Sequence, residues 1–226
     1  MRRNEKVIIG VVIGVVVMTT FVLLFRKLRL TAFKRRLIDN AVREWELWGK
    51  PLYELGDRVN SGETECSPIY KQRVGEYWKK GANKNLDGCD KSVPWSSAFI
   101  SFIMNKSGAG SDFVYSSAHT DYIRDAISNT KSGKKHTFMA YRLSEKPVSL
   151  GSLVCYSRQS GVNYNTTWSY KSHCDIVVNV NKRKGTAEVI GGNVSDGVSK
   201  KVIKIDSDGY LTDSNNDWFT IIEINK

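Results

Sequence analysis

An uninterrupted apolar run near the amino terminus constrains this chain more than any other feature. Val7 to Phe25 is a stretch of nineteen residues without a charge, and Thr19 and Thr20 are its only polar side chains. As an α-helix it would be about 29 Å long, which matches the roughly 30 Å hydrocarbon core of a bilayer. We predict a single membrane-spanning helix here, because a secretory signal has a shorter apolar stretch of about 7–15 residues and a small-residue cleavage site.

The net charge of +11 is concentrated around that run. Residues 1–36 contain nine Lys or Arg against one acidic residue, which leaves the rest of the chain close to neutral at +3. A nucleic-acid-binding protein would carry the charge on its folded body, whereas basic flanks are typical of a membrane anchor. We therefore predict a tail, span and basic flank over 1–36, one domain over 37–226, a lipid membrane as partner and no nucleic-acid partner.

The orientation in the membrane stays open at this point. More basic residues follow the apolar run than precede it, which favours a cytoplasmic body. An enzyme acting on a cell wall would need the opposite orientation. Two locations are compatible with a single span, the cell envelope and the internal membrane of a virion.

The body divides into a helical half and a strand-rich half. Apolar residues recur three and four apart over 37–55, 69–80, 94–104 and 117–127, which predicts helices. After residue 131 short β-rich runs alternate with Gly, Asn, Asp and Lys, which indicates strands joined by turns. These runs are 137–142, 150–156, 174–180, 187–190, 202–205 and 218–224. The order predicts an α+β domain with an antiparallel sheet.

Four cysteines allow three complete pairings. Cys66 and Cys89 lie in polar, loop-like stretches and could form a disulfide bond. Cys155 and Cys174 lie in apolar runs, where buried free thiols are the ordinary interpretation. The chain has no Cys-x-x-Cys motif, and we predict neither a metal nor a cofactor.

The three histidines differ in their settings. His136 lies in a Lys-rich turn and is expected to be exposed. His119 falls in the first turn of a predicted helix, where it could cap the helix, bond within the core or contact a substrate. His173 begins a predicted strand, so that its side chain would project from a rigid element. A role of His173 as a general base is the alternative to a structural one.

Acyl transfer needs a nucleophile, a base within hydrogen-bonding reach and a polar group that orients the base. Ser96 begins a predicted helix, whose backbone N–H groups could stabilise an oxyanion. His173 begins one strand, and Asn193 follows a Gly-Gly pair just past the next strand. These positions predict a Ser96–His173–Asn193 relay.

Four motifs carry a resemblance to a known group. Residues 94–99 (PWSSAF), 151–154 (GSLV), 172–178 (SHCDIVV) and 191–193 (GGN) follow one another as in papain-like cell-wall amidases and peptidases of the CHAP type. Over about residues 41–198, the chain is similar to an uncharacterised bacterial and viral domain family of that group.

The resemblance implies a papain-like α+β fold in which Ser96 holds the nucleophile position, His173 that of the base and Asn193 that of the orienting residue. Trp95 and His119 belong to matching motifs and would contact the substrate. The chain departs from the CHAP pattern at one point, because the nucleophile there is cysteine. Serine must lose its proton during attack, whereas a cysteine thiolate forms readily beside an imidazolium.

Two functions remain open from the sequence. The first is a membrane-anchored amide hydrolase that acts on peptidoglycan or on a peptide. The second is a catalytically inactive papain-like domain that serves as a membrane-anchored structural or binding component, with a capsid or envelope assembly as its partner.

Overall fold

The computed structural model describes residues 30–60 and 64–226. The predicted span over Val7–Phe25 lies outside these residues. Within them, no helix combines the length and the apolar character that crossing a bilayer requires.

Four α-helices are present in the described chain, as the sequence predicts. They are α1 (Ala32–Leu47), α2 (Pro68–Ala82), α3 (Ser96–Ser107) and α4 (His119–Lys131). The hydroxyl of Thr31 caps α1 by accepting a hydrogen bond from the N–H of Lys34. The helix ends at Leu47 rather than near residue 55, because Gly49 and Lys50 both adopt positive φ angles that interrupt it.

Eight strands form one sheet in the order β2-β1-β7-β6-β5-β4-β8-β3. The strands are β1 (Leu52–Glu54), β2 (Asp57–Asn60), β3 (Phe138–Tyr141), β4 (Leu153–Ser157), β5 (Ser172–Asn181), β6 (Thr186–Val194), β7 (Gly197–Lys204) and β8 (Asp217–Ile224). The α+β class is confirmed. The prediction of an antiparallel sheet is wrong in one respect, because β1 pairs with β7 in parallel and makes the sheet mixed.

Both faces of the central sheet are covered. The helix-side core includes Ile100 of α3 and Ile176 of β5. The opposite core includes Val154 and Val177. A Cβ atom on Gly192 of β6 would lie 2.5 Å from the side chain of Phe99, so α3 packs directly on this strand. The close approach fixes the start of α3 near the beginning of β5 and the end of β6.

All four cysteines form disulfide bonds, Cys66–Cys89 and Cys155–Cys174. The first is one of the pairings that the sequence allows. The prediction of free thiols at Cys155 and Cys174 is wrong, because these residues are direct neighbours on the antiparallel strands β4 and β5. Their Cα atoms are 4.1 Å apart, a contact that depends on strand register.

The two disulfides should differ in their response to a dithiol reductant. Cys89 is exposed, whereas Cys155 and Cys174 are fully buried. Reduction under native conditions, followed by alkylation and peptide mass spectrometry, is expected to label Cys66 and Cys89 first. Removing this bond by the double substitution Cys66→Ser, Cys89→Ser should lower the free energy of unfolding by about 3 kcal/mol, since it frees a loop with a sequence separation of 23. Earlier labelling of Cys155 and Cys174 would contradict the burial of that pair.

Candidate active site

Ser96 is the first residue of α3, and its side chain meets the first residue of α4. The Oγ atom of Ser96 lies 2.7 Å from Nε2 of His119. Both residues are buried, with 3% and 5% of their surface exposed. The sequence predicts His173 as the partner of Ser96. That contact is not formed, because the start of α4 places His119 against the hydroxyl.

The other ring nitrogen of His119, Nδ1, pairs with the hydroxyl of Tyr122 one helical turn later. The Ser97 hydroxyl, one turn before Ser101 on the same helix, donates to the carbonyl of Ser116. In the tautomer that carries its proton on Nδ1, His119 donates to the Tyr122 oxygen and its Nε2 lone pair faces Ser96.

His173 belongs to a second chain of polar groups on the sheet. Its Nε2 lies 3.1 Å from Oδ1 of Asp175, and the other carboxylate oxygen lies 2.6 Å from the Lys201 ammonium. An Arg158 guanidinium nitrogen lies 3.2 Å from Nδ1, which must therefore be an acceptor. With both ring nitrogens bonded in this way, His173 has no lone pair for Ser96. The predicted pairing of His173 with Ser96 is thus corrected.

Strand alternation explains the partner of His173. Residues two apart on a strand share a face, so His173 and Asp175 project together while Cys174 faces the helices. A Cβ atom on Gly191 would lie 2.0 Å from the Asp175 carboxylate and 2.8 Å from the His173 ring. The Gly191 position therefore leaves room for the buried chain of polar groups.

The rings of His119 and His173 link the two chains, because their centroids are 5.2 Å apart. The site thus contains a Ser96–His119–Tyr122 chain and a His173–Asp175–Lys201 chain in contact.

Asn193 does not occupy the predicted orienting position beside His173. It lies within β6 rather than beyond it, at an irregularity in the pairing with β7, and has a positive φ of 55°. The residue is half-buried, and its side chain makes no hydrogen bond to the part of the chain that the structure describes.

Trp95, a predicted substrate contact, is 2% exposed and lies in the core. Its indole N–H donates to the carboxylate of Glu65, and its ring stacks on Trp48 at 5.6 Å. Glu65 is itself buried, and burial raises its pKa. Sequence analysis missed this carboxylate, because nothing in the pattern around residue 65 marks it as buried.

Burial sets the charge state of the site. Burial and then the neighbouring His173 lower the pKa of His119 well below its usual value. Burial also lowers the pKa of His173 to about 4, and Asp175 offsets this only in part. Burial alone would raise the pKa of Asp175, but Lys201 and His173 hold it below its usual range. Both imidazoles are therefore neutral at pH 7, beside an ionised Asp175–Lys201 pair.

The stability of the protein should fall as the pH is lowered from 6.5 to about 4. In this range the unfolded chain binds a proton at His173 that the folded protein excludes, because folding lowers the pKa of His173 from 6.5 to about 4. The free energy of unfolding, measured with urea across this range, is expected to decrease towards acid. His173→Gln should weaken this pH dependence, and an unchanged dependence in that variant would contradict the assignment.

No group of three or more His, Cys, Asp or Glu side chains within residues 30–60 and 64–226 is arranged to hold a metal ion. Three surface cavities, of about 530, 320 and 220 Å³, are lined by residues other than Ser96 and His119. Lys201 and Tyr156 line the smallest one, on the sheet face that carries His173.

These features define an α+β protein with a buried serine–histidine pair at the junction of two helix starts and the central sheet. The chain belongs to the DUF2272 family, described as an uncharacterized protein conserved in bacteria, whose family model matches residues 65–224. The match extends from the residue before Cys66 to the end of β8 and includes both the Ser96–His119–Tyr122 chain and the His173–Asp175–Lys201 chain. Among curated proteins and among solved structures, none matches the chain.

The prediction of an uncharacterised bacterial domain family is confirmed. The predicted extent of about 41–198 differs from the match, which begins later and ends later. The similarity to CHAP-type enzymes and the serine replacement stay predictions.

Proposed function

We propose that this protein is a membrane-anchored serine hydrolase of amide bonds, with a papain-like arrangement of helices and sheet. Ser96 is the nucleophile, His119 is the general base and Tyr122 orients the base. The observation that carries the proposal is the 2.7 Å contact between Ser96 Oγ and Nε2 of His119. A nucleophile, a base and an orienting group in one chain of hydrogen bonds are what acyl transfer requires.

The start of α3 supplies the second requirement, a site for the oxyanion. The first intrahelical bond of α3 runs from the N–H of Phe99 to the carbonyl of Trp95. The N–H groups of Ser97 and Ala98 therefore have no intrahelical acceptor. Trp95 contributes no side-chain cap within the described chain. These N–H groups and the helix dipole favour negative charge beside Ser96.

The reaction proceeds in two steps. Ser96 Oγ attacks the amide carbonyl while its proton passes to His119 Nε2, and the tetrahedral oxyanion forms beside the α3 N–H groups. The imidazolium then protonates the leaving nitrogen, the C–N bond breaks, and an amine leaves an ester on Ser96. Water, deprotonated by His119, hydrolyses the ester to release a carboxylic acid and to restore the hydroxyl.

The low pKa of His119 suits this role in one respect. A base that remains neutral below pH 6.5 keeps its lone pair available to Ser96 in mildly acidic surroundings. His173 acts as a positioning residue, because its ring packs against the His119 ring, and Asp175 holds His173 in place through a hydrogen bond.

The anchor and the substrate class complete the proposal. The apolar run over 7–25 and its basic flank support a single-pass location in a membrane. A body held at such a surface could act on peptidoglycan or on a peptide of the envelope. Retention of the full chain in membrane pellets after alkaline carbonate washing is the expected result for a spanning segment. Release by that wash would contradict the anchor and leave the chemistry of the body untouched.

Hydrolysis by the purified full chain tests the reaction directly. Peptidoglycan fragments and N-acylated peptides are incubated with the protein in detergent, and new amine and carboxylic acid products are identified by mass spectrometry. Activity that Ser96→Ala abolishes and Ser101→Ala retains supports the mechanism. Ser101 is buried on the same helix, and within the described ranges its hydroxyl bonds only to Ser116. Equal activity in Ser96→Ala would remove Ser96 from the mechanism.

The burial of Ser96 and His173 favours a second candidate function. In this alternative the protein is a non-catalytic binding or structural component of a membrane or virion assembly. Ser96 is 3% exposed and His173 is fully buried, so little of the site meets solvent. Under this alternative the native chain hydrolyses no amide. The variant Ser96→Cys would gain turnover, since a thiolate is the nucleophile of the CHAP-type enzymes that the chain resembles.

A further inference from the structure

A groove along α1 is the largest of the three cavities, with a volume of about 530 Å³. Its apolar wall comes from the segment just before α1, α1 itself, the turn before β4 and the middle of β5. The residues of this wall are Leu30, Ile38, Val42, Leu150 and Val178. We call this cavity the α1 groove. Its volume falls within the roughly 300–1,000 Å³ that is usual for ligand sites.

The groove exposes the edge of the apolar face of α1. Phe33, Leu37 and Ala41 are buried on this face, which packs into the core. Ile38 and Val42, one turn apart, continue the face and remain partly exposed in the groove, where Val42 also packs against the core. This edge leaves apolar surface beside the core that a partner outside the described body could cover.

The position of the groove along the chain indicates what that partner is. Leu30 lines the groove, and the predicted span ends at Phe25, so that five Cα–Cα steps join them. Even a fully extended chain covers only about 18 Å in five steps. The headgroup layer on each side of the hydrocarbon core adds roughly 5–7 Å. If Val7–Phe25 spans a bilayer, the groove is held within reach of the lipid headgroups.

The charges at the groove suit a phospholipid. Arg35 and Arg43 line it together with Asp39 and Glu46, so that its own charge is balanced. Three more basic residues lie in the four-residue segment 26–29 that leads to it. Guanidinium groups bind phosphate through bidentate hydrogen bonds, and the apolar wall offers a surface for an acyl chain.

We propose that the α1 groove binds a phospholipid of the anchoring membrane, with an acyl chain along Ile38 and Val42 and the phosphate near Arg43. This proposal depends on the membrane anchor of the proposed function, but not on the hydrolase chemistry. The bound lipid fixes the rotation of the body about its tether, because the α1 face then lies against the bilayer. The single tether becomes a two-point attachment.

Photochemical labelling of the full chain in vesicles tests the proposal. The vesicles contain phosphatidylcholine and a phosphatidylglycerol with a diazirine on one acyl chain. After irradiation, labelled peptides are identified by mass spectrometry. We expect labels both on residues 7–25 and on the peptides that contain Ile38, Val42 and Val178.

Val42→Trp fills the groove and should lower groove labelling several-fold while labelling of 7–25 is unchanged. Ile69→Trp, at a residue 75% exposed elsewhere, should change neither.

Labelling in these two regions distinguishes a failure of the lipid-site proposal from a failure of the membrane-anchor proposal. Labels on 7–25 without labels in the groove would overturn the lipid site and leave the anchor intact. An absence of labels in both regions would overturn both proposals. Groove labelling that Val42→Trp leaves unchanged would also overturn the lipid site, because the filled groove could no longer hold the acyl chain.

Discussion

His119→Ala is expected to lower kcat/KM for amide hydrolysis by about 10²- to 10⁴-fold, the range that a general base contributes. In the proposed mechanism the His119 imidazole, whose Nε2 lies 2.7 Å from Ser96 Oγ, accepts the serine proton, and a serine hydroxyl attacks poorly without that transfer. His173→Ala should lower kcat/KM by less than about tenfold, because His173 contacts the base only through ring packing. His136→Ala, the third histidine, should leave the activity unchanged.

The comparison of these three variants decides whether His119 or His173 is the base that acts on Ser96. Each variant is first checked for native circular dichroism and for an unfolding transition above the assay temperature, since His173 is fully buried. A larger loss of activity for His173→Ala than for His119→Ala would contradict the contacts in the structure. That result would restore the Ser96–His173 pairing that the sequence motifs predict.

Lys201→Met is expected to lower the free energy of unfolding by about 3–5 kcal/mol, because it leaves the Asp175 carboxylate buried without its cation. The Lys201 ammonium lies 2.6 Å from Asp175, and the carboxylate is fully buried. The adjacent residue offers a matched control. Lys200 forms a more exposed pair with Glu188, so Lys200→Met should lower the free energy of unfolding by only about 1 kcal/mol.

Urea unfolding monitored by tryptophan fluorescence measures these changes. The double variant Asp175→Asn, Lys201→Met should recover much of the loss, since it removes both buried charges together. Equal destabilisation by Lys200→Met and Lys201→Met, or additive losses in the double variant, would contradict the buried ion pair.

The helices follow from the sequence because their apolar spacing is local. The predicted ranges 69–80 and 94–104 differ by only a few residues from α2 and α3. Strands β1 and β2 were not predicted, because they are three and four residues long and β2 is fully exposed. Short polar strands lack the alternation of apolar and polar residues that predicts a strand. Their pairing also depends on the position of β7, which is distant in the sequence.

The site was predictable in part. The start of α3 places Ser96 where the sequence predicts a nucleophile, and strand alternation alone could have paired His173 with Asp175. The contact of Ser96 with His119 could not be read in this way, because it depends on two helix starts meeting in space. Tyr122, three residues after His119, was an available signal for a histidine oriented on its own helix.

The reactivity of the Ser96 hydroxyl tests the central claim most directly. The full chain is incubated with a fluorophosphonate, whose phosphorus forms a bond to an activated serine oxygen while fluoride leaves, and the modified residue is located by peptide mass spectrometry. We predict an adduct on Ser96 that is absent from Ser101 and is lost in His119→Ala. An unmodified Ser96, or an adduct that forms equally fast without His119, would contradict an activated serine–histidine pair.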